Sequence, residues 1–195
     1  MSLLASGRRE LPADVGPLER LDLGAGAWID WRPQWLPGAD DWMSHLRDEI
    51  TWRHAERPMY DRIVAVPRLM AHFTRSDPAV PRELAELAHW FDRHYNRPFP
   101  TVGCNLYRDG NDSVAWHADR VKRPGDSVVA IIGLGARRPF MVRPMGGGAS
   151  RKWLVGDGDL IVLGGTIQAG WQHAVPKVSH SGPRLSIMVR SGHLD

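Results

Sequence analysis

The sequence predicts a mainly β fold with flanking helices, an α+β arrangement in which two helices pack outside a β-sandwich or jelly roll. Three observations predict it. From Thr101 onward the chain breaks into short apolar runs, "TVGCNLY", "SVVAIIGLG", "PFMVRP", "RKWLV", "DLIVLGG", "HAVPKV" and "RLSIMVR", punctuated by Gly, Asn and Asp. No helical period separates these runs. Ahead of Thr101 lie two segments with apolar residues at helical spacing, and 195 residues suffice for one sizeable core.

In chain order, residues 1–25 carry no sustained period and are expected to form a flexible arm. "AWIDWRPQWLPG" (27–38) alternates and then stops at Pro-Gly, as a strand and turn do. In "ADDWMSHLRDEITW", Asp40 or Asp41 can cap a helix whose Trp42, Leu46 and Ile50 share a face. "RIVAVPRLMAHF" (62–73) is strand material interrupted by Pro67, which predicts an edge or a bend. A second helix opens at Pro81, with Leu84, Leu87, Ala88, Phe91 and Tyr95 as its apolar stripe, and "NRPFP" ends it. "GGGAS" (146–150) reads as a hairpin tip. The expected organisation is a single domain over 26–195, with supporting helices in 26–100 and the β core in 101–195.

Composition excludes several classes. No apolar run approaches the roughly 20 residues of a membrane-spanning helix. The N-terminus has acids and prolines where a signal peptide needs a basic start and an unbroken apolar stretch, so a cytoplasmic location is expected. Cys104 stands alone, which removes intrachain disulfides and Cys-based zinc clusters. Any metal must be held by His and carboxylate. A net charge of +3 permits a polyanionic partner without requiring one. A monomer is expected.

"DSVAWHADRVK" contains the chemistry. On a strand, residues i and i+2 point to one face, so His117 and Asp119 can aim an imidazole and a carboxylate at one point. Taken alone, the pair is better read as the polar end of a strand. His173 in "GWQHAVP" offers a third ligand. Two histidines and a carboxylate form the facial set that holds non-haem Fe(II) with coordination positions left open. In "RLSIMVR", Arg184 and Arg190 share a face by even spacing, and inward guanidinium groups need anionic partners, which a dicarboxylate would supply.

The ordered motifs "NLYRDGNDSVAWHAD", "GGTIQAGWQHAVPK" and "PRLSIMVR" resemble the AlkB family of Fe(II)/2-oxoglutarate dioxygenases, in its nucleic-acid dealkylase branch. The resemblance spans roughly residues 67–190. It implies a double-stranded β-helix (jelly roll) with an N-terminal helical layer and a nucleotide-lid region within 26–100. It implies Fe(II), 2-oxoglutarate and O2 as cofactors, alkylated DNA or RNA as partner, and oxidative dealkylation releasing succinate, CO2 and formaldehyde.

Carried onto this chain, the resemblance makes His117, Asp119 and His173 the catalytic iron ligands, and gives Asn105, Tyr107 and Ser186 to 2-oxoglutarate. Arg190 is then expected on the distal carboxylate, and Arg184 near the C1 carboxylate, buttressing Asp119. Trp52, His72, Phe73, Val121 and Trp171 are candidates for lining a base pocket. Arg120, Lys122 and Arg123 could meet phosphate. Because Val121 cannot accept a hydrogen bond where many dealkylases carry an acid, a non-repair substrate such as a modified tRNA base, a protein side chain or a small molecule stays open. So does a non-catalytic nucleic-acid-binding jelly roll.

Overall fold

The computed structural model describes residues 9–59, 62–121 and 125–192. Eight strands form one antiparallel sheet. In spatial order they are β1 (Glu19–Gly24), β2 (Ala27–Arg32), β10 (Asp159–Gly165), β7 (Ser127–Gly135), β12 (Arg184–Arg190), β5 (Thr101–Tyr107), β4 (Arg62–Thr74) and β3 (Arg53–Met59). Four more form the facing sheet, ordered β6 (Val114–His117), β11 (Trp171–Val175), β8 (Arg138–Pro144) and β9 (Arg151–Val155). Helices α1 (Ala39–Glu49) and α2 (Arg82–Tyr95) cover the outer face of the large sheet, and the single turn α3 (Ile167–Gly170) links the two sheets. This is the jelly roll with a helical layer that the sequence predicts.

Alternation along the strands explains why two cores form. On β7, Val128, Ala130, Ile132 and Leu134 pack toward the helices, while Val129 and Ile131 pack between the sheets with Phe140, Val142 and Val155. A strand buried on both faces reads as a continuous apolar run, which is why "SVVAIIGLG" shows no alternation. On β12, Leu185, Ile187 and Val189 enter the helix-side core, and that leaves Arg184, Ser186, Met188 and Arg190 on the face toward the small sheet.

The helices form as expected in kind, with displaced caps. Gly38, in the left-handed region at φ 64°, caps α1, and Asp40 and Asp41 occupy its first turn, where carboxylates complement the helix dipole. Pro81 is the cap of α2 rather than its first residue.

Three expectations need correction. The N-terminal segment is no free arm from residue 9 on: Val15 is buried, Trp90 Nε1 donates to the Pro12 carbonyl at 2.6 Å, and β1 pairs with β2. Arg20 forks onto the buried Asp30 at 2.6 and 2.7 Å. An edge strand with a mostly exposed surface carries little apolar signal, so its sequence looks unstructured. Residues 1–8 lie outside the described residues.

Pro67 does not interrupt its strand, because β4 runs through it. Pairing with β5 begins only at Leu69, and the β3 register slips between His54 and Glu56, which pair with Leu69 and Ala65. Pro67 therefore sits in a bulge, where its missing N–H costs nothing. Finally, residues 26–100 are more than lid and helices: β2, β3 and β4 lie in the large sheet beside the later strands.

Candidate metal centre and cosubstrate cavity

Pairing of β6 with β11 places His117 directly opposite His173, with ring centroids 4.2 Å apart. Asp119 joins them by a different route from the one alternation predicts. Strand β6 ends at His117, and Asp119 lies two residues beyond it in a stretch without regular structure. Two hydrogen bonds hold it and turn Oδ1 toward both imidazoles. Its backbone N–H donates to Gln168 Oε1 at 2.8 Å, its Oδ2 accepts from Arg190 Nε at 2.9 Å, and its Oδ1 faces His117 Nε2 at 3.6 Å and His173 Nε2 at 3.9 Å. One ligand atom from each of the three residues lies within 4.8 Å of the others. His117 Nδ1 is engaged by the Ala115 carbonyl at 2.9 Å, which leaves Nε2 free to ligate.

Electrostatics prepare Asp119 and His173. Burial opposes the Asp119 charge, but the Arg190 guanidinium and the two imidazoles outweigh it and hold the carboxyl well below the usual carboxylate range. His173 is pushed down to about 3, first by burial and then by the positive charge of its neighbours, with Asp119 acting the other way. A neutral imidazole and an ionised carboxylate are the forms that bind metal.

Beside the triad opens a cavity of about 400 Å3, lined among others by Asn105, Tyr107, Ser186, Met188 and Arg190. In the β5–β12 ladder Ser186 lies opposite Asn105, and Arg184 opposite Tyr107. Arg184 is wholly buried. Its Nε donates to the Val155 carbonyl at 3.0 Å and its guanidinium lies 5.0 Å from the Tyr107 ring, while Nη1 and Nη2 have no hydrogen-bond partner among the described residues. The arginine that buttresses Asp119 is therefore Arg190 and not, as expected, Arg184. Six residues of strand separate their Cα atoms by about 20 Å, so only one can reach the carboxylate.

Residues 74–191 match the model of the 2OG-Fe(II) oxygenase superfamily. The chain belongs to that superfamily. Its relatives include alpha-ketoglutarate-dependent dioxygenase alkB homolog 3 of Mus musculus, 30% identical over 178 aligned positions, covering 80% of this chain and 62% of the relative. The Homo sapiens alkB homolog 3 is 29% identical, with the same coverages. DNA oxidative demethylase ALKBH2 of Arabidopsis thaliana is 24% identical over 235 aligned positions, covering 97% of this chain and 75% of the relative. The chain thus spans slightly less than two thirds of the alkB homolog 3 proteins it matches.

The residues of this superfamily member fit the superfamily's two cofactors. The donor set of two imidazoles and one carboxylate suits Fe(II), and Arg184 Nη1 and Nη2, without a hydrogen-bond partner among the described residues, are donors that a carboxylate would complete.

Of the base-pocket candidates, His72 lines the cavity, and burial with the nearby Arg190 charge lowers its pKa. Four others do not line it. Phe73, next to His72 on β4, turns to the helix-side core, as alternation requires. Trp52 donates to the Arg47 carbonyl at 2.9 Å and leans on the same core. Trp171 packs against the inter-sheet core, and Val121 is buried away from the cavity. Arg120 is exposed, whereas Lys122 and Arg123 lie outside the described residues.

Sequence reading missed Arg68 and Met70, which line the cavity from β4, and Phe140, stacked on His173 with centroids 5.6 Å apart. It also missed Gln168. Even spacing from His72 would have found Arg68 and Met70 once β4 was read as continuous. No local pattern announces Gln168.

Proposed function

We propose that the chain is an Fe(II)/2-oxoglutarate-dependent dioxygenase that removes alkyl groups oxidatively from bases in DNA or RNA. One observation carries the reading: His117, Asp119 and His173 converge beside a cavity that includes Tyr107, next to which Arg184 keeps two buried donors unpaired among the described residues. The name of the Arabidopsis thaliana relative, DNA oxidative demethylase ALKBH2, supports the nucleic-acid substrate.

His117 Nε2, Asp119 Oδ1 and His173 Nε2 would hold the metal. Arg184 would take the distal carboxylate of 2-oxoglutarate, with Asn105, Tyr107 and Ser186 as further hydrogen-bonding groups; a planar fork of donors fits two carboxylate oxygens. Iron and 2-oxoglutarate, when bound, would with O2 supply hydroxylation of a C–H bond with release of succinate and CO2, and a carbon hydroxylated beside a base nitrogen is lost as an aldehyde. Arg190 keeps Asp119 ionised and turned so that Oδ1 faces the imidazoles. Ile131, Phe140, Val175 and Met188 give the cavity apolar walls that exclude water. His72 stands where it can touch a base brought to the metal, since enzymes acting on a base take it out of the stack.

The test is succinate release from oligonucleotides carrying N1-methyladenine, N3-methylcytosine or ethenoadenine, with formaldehyde as the co-product from the two methylated bases and a two-carbon dialdehyde from the etheno base. Release that needs Fe(II), 2-oxoglutarate and the lesion together supports the reading. Succinate release that no lesion stimulates would move the substrate elsewhere, to a modified tRNA base, a protein side chain or a small molecule.

A further inference from the structure

We infer that Gln168, on the single turn between the two sheets, is the positioning residue that sets metal affinity by fixing the backbone of Asp119. The inference rests on the metal-site reading above and adds a residue to it.

Asp119 needs such a support. It lies past the end of β6, outside the pairing that fixes His117 and His173. Arg190 restrains its carboxylate through Oδ2, but a side-chain contact alone leaves the backbone free to drift. Gln168 Oε1 accepts the Asp119 N–H at 2.8 Å across 49 residues of sequence and supplies the second point. With the main chain and Oδ2 both held, Oδ1 is the oxygen left facing the two imidazoles.

The cost of keeping Gln168 argues that it is there for the site. Its side chain is buried, and Nε2 has no hydrogen-bond partner among the described residues. An unpaired buried amide opposes folding, so an apolar side chain of the same size would suit this place at least as well on stability grounds. Neighbouring Ile167 is apolar and buried in the inter-sheet core, and anchors the turn independently. What Gln168 supplies beyond packing is one acceptor directed at a metal ligand's backbone. Supports of this kind typically govern metal affinity by 10–100-fold.

Two variants separate the hydrogen bond from packing. Gln168→Met keeps the shape and removes the acceptor, and Gln168→Glu keeps an acceptor. Each metal-free protein is titrated with Co(II), read by its visible absorption and by calorimetry, and its thermal midpoint is recorded. The expected result is a Gln168→Met protein that melts close to the parent yet binds Co(II) about 10–100-fold more weakly with an altered spectrum. Gln168→Glu should bind at least as tightly as the parent.

Parent-like affinity and spectrum in Gln168→Met would overturn the inference, and so would a Gln168→Glu protein as weak as Gln168→Met. A parent chain that takes up no Co(II) would instead remove the metal site itself. No outcome depends on the dealkylation substrate.

Discussion

A guanidinium buried without an anion is costly wherever it sits, and Arg184 has no exposed surface and two nitrogens without acceptors among the described residues. Exchanging it for Met removes that cost along with the Val155 contact. The Arg184→Met protein should therefore resist urea about as well as the parent. Its 2-oxoglutarate requirement in a succinate-release assay should rise about 10–100-fold, the equivalent of a charge-assisted pair of roughly 1.5–3 kcal/mol. Arg190→Met should act differently, by freeing the Asp119 carboxylate and weakening metal uptake first. Even spacing in "RLSIMVR" shows in the sequence that both arginines share a face. Which of them meets Asp119 does not, because that depends on where the chain after β6 lies against the large sheet, a contact across 71 residues.

At the scale of elements, the strands carrying the two histidines are tied together by a residue that belongs to neither. Arg138, at the start of β8, is buried and donates to the carbonyls of Asp109 and Asp112 at 2.9 and 3.0 Å in the β5–β6 connection. It also donates to Pro176, just past β11, at 2.7 Å. Arg138→Met strands those acceptors and should lower unfolding stability by about 3 kcal/mol in urea melts, with His117 and His173 losing their register.

The crossover is tight as well. A Cβ on Gly164 of β10 would lie 2.0 Å from the Trp28 ring, so Gly164→Ala should cost about 1–3 kcal/mol by the same measurement. Strands buried on both faces, β7 and β10, are legible as apolar runs, and α1 and α2 by their helical stripes. The edge strand β1 and the caps are not, because an exposed strand needs no apolar pattern and a cap is a matter of backbone geometry.

Across the whole molecule, two cores share the large sheet, one under the helices and one between the sheets, and the site opens from the second. The metal triad joins β11 to the segment beyond β6, so the ion should act as a clamp on the small sheet. Metal at about 100 times its dissociation constant should raise unfolding stability by about 2.7 kcal/mol over the chelated protein, visible as an upward shift in thermal midpoint that EDTA reverses. The jelly roll is legible in the short apolar runs, and the three residues that converge are legible in their spacing together with the family resemblance; the resemblance alone singles out Asn105, Tyr107 and Ser186, which line the cavity. The base-pocket lining is not legible: of the five residues put forward, His72 alone reaches the cavity. Which aromatic side chains face inward is settled by how sheets and helices meet, and spacing within one strand does not carry that.

The most direct test of the central claim is formaldehyde release from an oligonucleotide carrying N1-methyladenine, with Fe(II) and 2-oxoglutarate, by the parent protein and by Asp119→Ala. The parent should release formaldehyde and succinate in equal amounts, and neither without iron or 2-oxoglutarate, while the folded variant should release none. Undiminished release by Asp119→Ala, or release by the parent without 2-oxoglutarate, would contradict the claim.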